Sequence, residues 1–173
     1  LNDPAERERL RDVKIVYGRG RRGVYGFCAY GAWNQQSPSD FVEISAVQEE
    51  SALQLAATVI HELGHASAGY QAGHGPVWQA AAKALGLLRP RAAGSDADHR
   101  PDAFAPDILP QLLALGDLTD GRPTFATNIN LAFANSIYSH DVINILICVI
   151  LRIHNRIVGF RVNILNINVM KCS

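Results

Sequence analysis

Three histidines and a glutamate crowd into one stretch, HELGHASAGYQAGHGPVW, which runs from His61 to Trp78. Its first five residues, His61-Glu62-Leu63-Gly64-His65, have the form H-E-x-x-H. On a helix, residues four apart share a face, so both imidazoles can reach one metal ion. Neutral imidazole suits a borderline cation such as Zn2+, at roughly 2.0–2.1 Å. Glu62 follows the first ligand directly. From there its carboxylate can reach a water on the metal without being a ligand itself. A catalytic zinc site also needs a third protein ligand and one open position.

The third ligand sorts the zinc sites built on this motif. One large class uses a glutamate from a later helix, and no glutamate follows Glu62. Another continues as H-E-x-x-H-x-x-G-x-x-H; here Ala68 stands at the glycine position and Gln71 at the histidine position. His74 is the favoured ligand. It lies nine residues after His65, beyond Gly69 and Gly73, in a loop able to fold back over the first helix. Asp96 and Asp98, in a later linker, stay open as carboxylate alternatives. H-E-x-x-H alone turns up by chance in helices, and a metal site can be purely structural. The longer pattern, with His74 directly before Gly75-Pro76 and Trp78 beyond, is far more specific.

The elements that must hold these groups can be read around them. Apolar or small residues at Leu53, Ala56, Ala57, Ile60, Leu63 and Gly64 recur at helical period, predicting a helix from Ser51 to about Ala68. Ser45-x-x-Gln48 ahead of it has capping-box spacing. Gly69 and Gly73 end the helix. Pro76 opens a second one, PVWQAAAKALG, closed by Gly86 and held in place through Trp78 and Leu85. Upstream, Asp3-Pro4 caps a first helical turn. VKIVY (Val13 to Tyr17) reads as a strand, GRGRRG as a basic hairpin turn, VYGFCAYGAW as the returning strand and FVEIS (Phe41 to Ser45) as a third. Arg89 to Pro106 is a polar, proline-punctuated linker, and DILPQLLALGDL is a further short helix.

Composition bounds the rest. Lys+Arg and Asp+Glu are 16 each, so net charge directs the chain neither to nucleic acid nor to a membrane surface. Three scattered cysteines, Cys28, Cys148 and Cys172, form no C-x-x-C pair, hence no zinc ribbon, and point to a reducing, cytoplasmic setting. The first residues, LNDPAERERLRD, are charged and lack the apolar core of a signal peptide; the absence of an initiating Met is compatible with a fragment. VINILICVIL carries Asn144 and stops at Arg152, short of the ~18 apolar residues of a membrane helix, so no membrane span is expected. After Pro123 the composition changes. Residues 124–173 hold ten Ile and eight Asn against four and two in all that precedes, Ala falls from twenty to three, and Pro vanishes. They read as an extension of unassigned role, either a separate β-rich unit or sequence not native to the domain.

The remaining chemistry-bearing residues take plainer readings. Arg19, Arg21 and Arg22 are the one dense basic cluster and could contact DNA phosphates, but a solvated hairpin turn is favoured. Trp33 and Trp78 read as core rather than as stacking platforms for bases. Tyr30 and Tyr70 could assist an oxyanion, with packed surface tyrosines the favoured reading. Cys28 reads as a buried strand residue, and His99, His140 and His154 as non-ligands.

The stretch from Val59 to Leu87, VIHELGHASAGYQAGHGPVWQAAAKALGL, resembles the SprT-like zinc metallopeptidase family, above all its compact bacterial and phage members. The resemblance covers residues 10 to about 90. It implies zinc on His61, His65 and His74, with Glu62 as the catalytic acid/base. The reaction implied is peptide-bond hydrolysis by a zinc-activated water whose proton Glu62 takes and passes to the leaving amine. Many relatives add a longer N-terminal helix and a C-terminal zinc ribbon. Neither is visible in these residues, which leaves a DNA-linked role without its usual support.

The expectation is therefore an α+β, minimal zincin-like domain over residues 1–123: a small three-stranded sheet packed on the H-E-x-x-H helix, with its core at about 10–90 and a linker and short helix at 91–123. Its expected activity is zinc-dependent endopeptidase. The alternative is a non-catalytic, zinc-stabilised DNA- or protein-binding module, against which Glu62 speaks, since a structural site has no use for it. All four motif residues precede residue 75. A chain truncated after Arg122 is therefore expected to retain its full zinc content by elemental analysis, with better solubility. Loss of zinc or of the fold would show that residues 124–173 complete the core.

Overall fold

The structure, a computed structural model, describes residues 4–48, 51–93 and 99–114. They build an α+β arrangement of four α-helices and one three-stranded sheet. The extension from 124 onward, Asp96 and Asp98, His140 and His154, and Cys148 and Cys172 lie outside the described residues.

Helix α1 (Pro4–Asp12) leads into β1 (Lys14–Gly18), β2 (Gly26–Trp33) and β3 (Ser39–Ser45). The sheet order is β1-β3-β2: β3 pairs parallel with β1 and antiparallel with β2. This corrects the hairpin expected around GRGRRG. That segment carries the chain from one edge strand to the other, touching itself only at an isolated Arg21–Val24 bridge. The centre goes to β3 because its Val42 and Ile44 are the most deeply buried strand residues, and a central strand is the one shielded by neighbours on both sides. Strand periodicity puts Ile15 and Tyr17 of β1 and Gly26 and Cys28 of β2 on the same face as Val42 and Ile44. Ile15, Tyr17 and Cys28 are packed against the core on that face. Elsewhere on the sheet Phe27 meets Phe41 edge-on and Trp33 lies tilted against Phe41.

Helix α2 (Ala52–Ala68) packs on β2 and β3. Its N-cap is Ser51, whose hydroxyl accepts from the Gln54 N–H at 3.1 Å. Ser45 does not cap it; the capping-box spacing belongs to a short 3-10 turn, Ala46–Gln48. The helix is buried on almost every side, and two of its interior polar residues satisfy each other: Gln54 Nε2 donates to Thr58 Oγ1 at 2.9 Å, and Thr58 Oγ1 donates to the Gln54 carbonyl at 3.0 Å. At the other end the Arg9 guanidinium of α1 donates to the Ser67 carbonyl, Nε at 2.8 Å, placing positive charge where the helix dipole is negative.

Helix α3 (Pro76–Leu85) starts on Pro76 and closes at Gly86, and α4 (Leu109–Ala114) packs on α2. The expected linker is more than a connection. Leu88 N–H donates to the Ala103 carbonyl and Ala105 N–H to the Gly86 carbonyl, both at 2.8 Å, around a Leu87–Phe104 bridge. This clamp inserts Ala103, Phe104 and Ala105 into the core beside Leu85 and Leu87, and Ile108 and Leu112 extend it. The core thus runs well past residue 90. No helix among the described residues is long and apolar enough to cross a membrane. Phe104→Ala, which empties the largest core site of the linker, is expected to cost roughly 3–5 kcal/mol in denaturant unfolding. A cost below about 1 kcal/mol would show the clamp to be peripheral.

Candidate metal centre

His61 and His65 stand one turn apart on α2 and point the same way, as their spacing requires. Beyond them Gly69 (φ 83°) and Gly73 (φ 49°) take conformations that suit glycine, bracketing a 3-10 turn at Tyr70–Ala72. The chain doubles back there, and His74 arrives over the two helical imidazoles. His74 Nε2 lies 3.1 Å from His61 Nε2 and 3.0 Å from His65 Nε2. All three residues offer ring nitrogens within 4.8 Å of one another, a group able to hold a metal ion.

The donor set fits such an ion. Tetrahedral ligands at roughly 2.0–2.1 Å from zinc would be about 3.3–3.4 Å apart, close to the separations found. Three ring nitrogens converging on one point cannot all be satisfied by hydrogen bonds among themselves, because a neutral imidazole carries one N–H. Burial, then the neighbouring imidazoles, lowers His61 to about 3; burial, then His74, lowers His65 to about 4. Both rings are therefore neutral at pH 7, with lone pairs free for a cation.

Trp78 of α3 underlies the whole group. It is fully buried, and its Nε1–H donates to the His61 carbonyl at 3.3 Å. Its ring stacks on His65 and meets His61 and His74 edge-on, each centroid 4.7 Å away. The reading of Trp78 as core holds, but its direct contact with all three imidazoles went unread, since spacing alone does not show which way an indole faces. Gly64 makes the approach feasible: a Cβ there would sit 3.1 Å from Trp78 Nε1 and 3.3 Å from Ala82 Cβ.

Glu62 points into the angle between α2 and β2. It is 7% exposed, and the Cys28 backbone N–H hydrogen-bonds its carboxylate. Burial outweighs that bond and raises its pKa to about 8. Gly26 also presses close, since a Cβ there would lie 3.1 Å from Glu62 Cγ and 2.8 Å from Thr58 Cγ2. No sequence signal announced either β2 contact, because both depend on strand register.

Glu62 and the three histidines line one open cleft of about 590 Å3, together with Tyr30, Tyr70 and residues of β2. Tyr30 turns its hydroxyl onto the His65 carbonyl at 3.4 Å; burial raises its pKa, so it remains a donor. Tyr70, 74% exposed, meets Tyr30 edge-on. Cys28 is half-buried, and desolvation pushes its thiol up to about 12, which suits a packed residue and not a nucleophile. His99 stays out of the three-histidine group yet lines the same cleft, edge-on to Tyr25. Arg19, Arg21 and Arg22 do not line it.

No known protein family, curated protein or solved structure matches the chain.

His74→Ala is expected to lose bound metal by elemental analysis after zinc loading, while His99→Ala keeps it. Full metal in the His74→Ala protein would remove His74 from the ligand set and return attention to Asp96 and Asp98.

Proposed function

We propose that this chain is a zinc-dependent endopeptidase of SprT-like type, with a zincin-like fold. The observation that carries the reading is the placing of a buried carboxylate, Glu62, on the same cleft wall as three converging imidazoles. His61, His65 and His74 would hold Zn2+, and a fourth position would face the open cleft. Zinc held there would supply Lewis acidity and acidify a water at the site.

The protein's own groups do the remaining work. Glu62 accepts a proton from the attacking water on a carboxylate oxygen and hands it to the nitrogen of the leaving amine. A carboxyl kept from bulk water yet facing the cleft suits that double role, because a general acid–base must sit within reach of the proton it moves. The Cys28 N–H fixes the carboxylate against β2, and Trp78 fixes the imidazoles against α3. Tyr30 holds its hydroxyl on the His65 carbonyl and so supports the ligand helix.

A non-catalytic metal site gains nothing from a desolvated carboxylate beside its ligands, which disfavours the alternative of a structural binding module. Glu62→Gln is expected to retain zinc and fold while hydrolysis of an unstructured protein falls by roughly 10²–10⁴. Turnover equal to wild type would end the role given to Glu62. Absence of hydrolysis in a zinc-loaded wild-type protein would favour the binding module.

A further inference from the structure

The turn between the helical histidines and His74 carries a side chain that the proposed chemistry does not employ. Tyr70 opens the 3-10 turn Tyr70–Ala72, and its ring is left 74% exposed. Four large apolar side chains are exposed among the described residues: Tyr70, Val77, Leu88 and Leu113. Tyr70 is the most exposed of them and the one that lines the cleft. Its backbone is well held. Gly69 and Gly73 bracket the turn at positive φ, Ala72 N–H donates to the Gly69 carbonyl at 3.1 Å, and Gly75 N–H donates to the Ala72 carbonyl at 2.9 Å. A fixed backbone thus presents to the cleft a ring that folding leaves largely uncovered.

Tyr30 locates that ring. The two centroids lie 5.5 Å apart with an interplanar angle of 77°, and the Tyr30 hydroxyl donates to the His65 carbonyl at 3.4 Å. The pair therefore stands at the His65 end of the cleft. Ala57, Thr58, His61 and Glu62 lead up to it along the α2 wall, a rise of about 12 Å from Ala57 to His65.

An edge-on pair offers the face of one ring beside the edge of the other, a surface that a third ring or a branched aliphatic chain can cover. The surroundings select against charge. Among the described residues no lysine or arginine lines the cleft, and its one carboxylate, Glu62, accepts from the Cys28 N–H. Three imidazoles gathered to receive a cation make a poor neighbour for a substrate ammonium or guanidinium.

We propose that Tyr70 and Tyr30 form a subsite for one large apolar side chain of the substrate, aromatic or aliphatic, close to the bond presented to Glu62. The proposal deepens the peptidase reading and rests on it for the bond that is cut; seating of the side chain does not require cleavage. Single-stranded nucleic acid also stacks on aromatic rings, but it does so where a basic groove tracks its backbone, and this lining supplies none.

The test uses the full chain, zinc-loaded, carrying Glu62→Gln so that peptides are not consumed. Labelled peptides share one Gly/Ser frame and differ at a single central position, filled by Phe, Leu, Gly or Lys. Fluorescence anisotropy ranks them, with a single-stranded oligonucleotide as a further probe. The Phe and Leu peptides are expected to bind roughly tenfold tighter than the Gly peptide, and the Lys peptide to gain nothing. Tyr70→Ala should remove most of the preference, and Tyr70→Phe, which keeps the ring, should retain it, with zinc content unchanged in both. Should the alanine protein lose zinc, Tyr70→Gln, which keeps the length without the ring, takes its place. Equal binding of the Phe, Leu and Gly peptides, a Lys peptide as tight as the Phe peptide, a preference that survives loss of the ring, or one lost equally in Tyr70→Phe would each overturn the subsite. So would oligonucleotide binding that depends on Tyr70 without a peptide preference. Hydrolysis by the wild-type protein is scored separately, by mass spectrometry of the products. Apolar-peptide binding without cleavage of any peptide sinks the peptidase reading and keeps the subsite; cleavage of all four peptides alike, at no fixed distance from the central position, does the reverse.

Discussion

The close approach of α2 and α3 is the contact on which the three-histidine group depends. Gly64 removes the one side chain that would hold the helices apart, and Ala82 keeps the facing surface low. Trp78 fills the remaining space as a fully buried indole. In doing so it binds the backbone of His61, stacks on His65 and braces His74. Ligands brought by a helix and by a loop are thereby referred to one rigid object. Such bracing limits the rotamer freedom that three separate imidazoles would otherwise lose on binding a cation.

A second constraint is electrostatic. The cleft buries ionisable groups whose charged forms are disfavoured in the absence of a partner: His61 and His65 go neutral, and Glu62 is pushed toward its protonated form. The shifts run in opposite directions for acid and base because desolvation always penalises charge. A metal cation held by the three histidines would answer both, taking the imidazole lone pairs and favouring the charged carboxylate.

The three-histidine group was legible in sequence because its geometry is local. A four-residue helical spacing fixes the first two, and Gly69, Gly73 and Pro76 mark where the chain must turn to bring back the third. The three strands and both site helices were legible for the same reason. What escaped was non-local. Sheet order depends on which strand wins the central place, so β2 was expected beside β1 and lies beside β3 instead. Ser45 and Ser51 both offer cap chemistry, and only tertiary packing selects Ser51. Phe104 hides in a polar, proline-rich stretch, where one aromatic residue gives no periodicity to detect. His99 reached the cleft wall through that same clamp, with no motif of its own.

The β1-β3-β2 order also governs how the molecule can assemble. Neither edge strand has a hydrogen-bonding neighbour until the last of the three has been made, because β1 and β2 each pair only with β3. A chain emerging from its N-terminus must therefore carry two unpaired strands across residues 14–33 while it waits for residues 39–45. The β2–β3 hairpin, joined by residues 34–38, can form locally, whereas the parallel β1–β3 pairing spans a longer stretch of chain and is expected to be slow relative to helix formation. Helix α2 follows β3 after a short interval, so sheet closure and the arrival of the histidine-bearing helix become nearly one event. The apolar strands are then unprotected for the briefest span of synthesis that this topology permits.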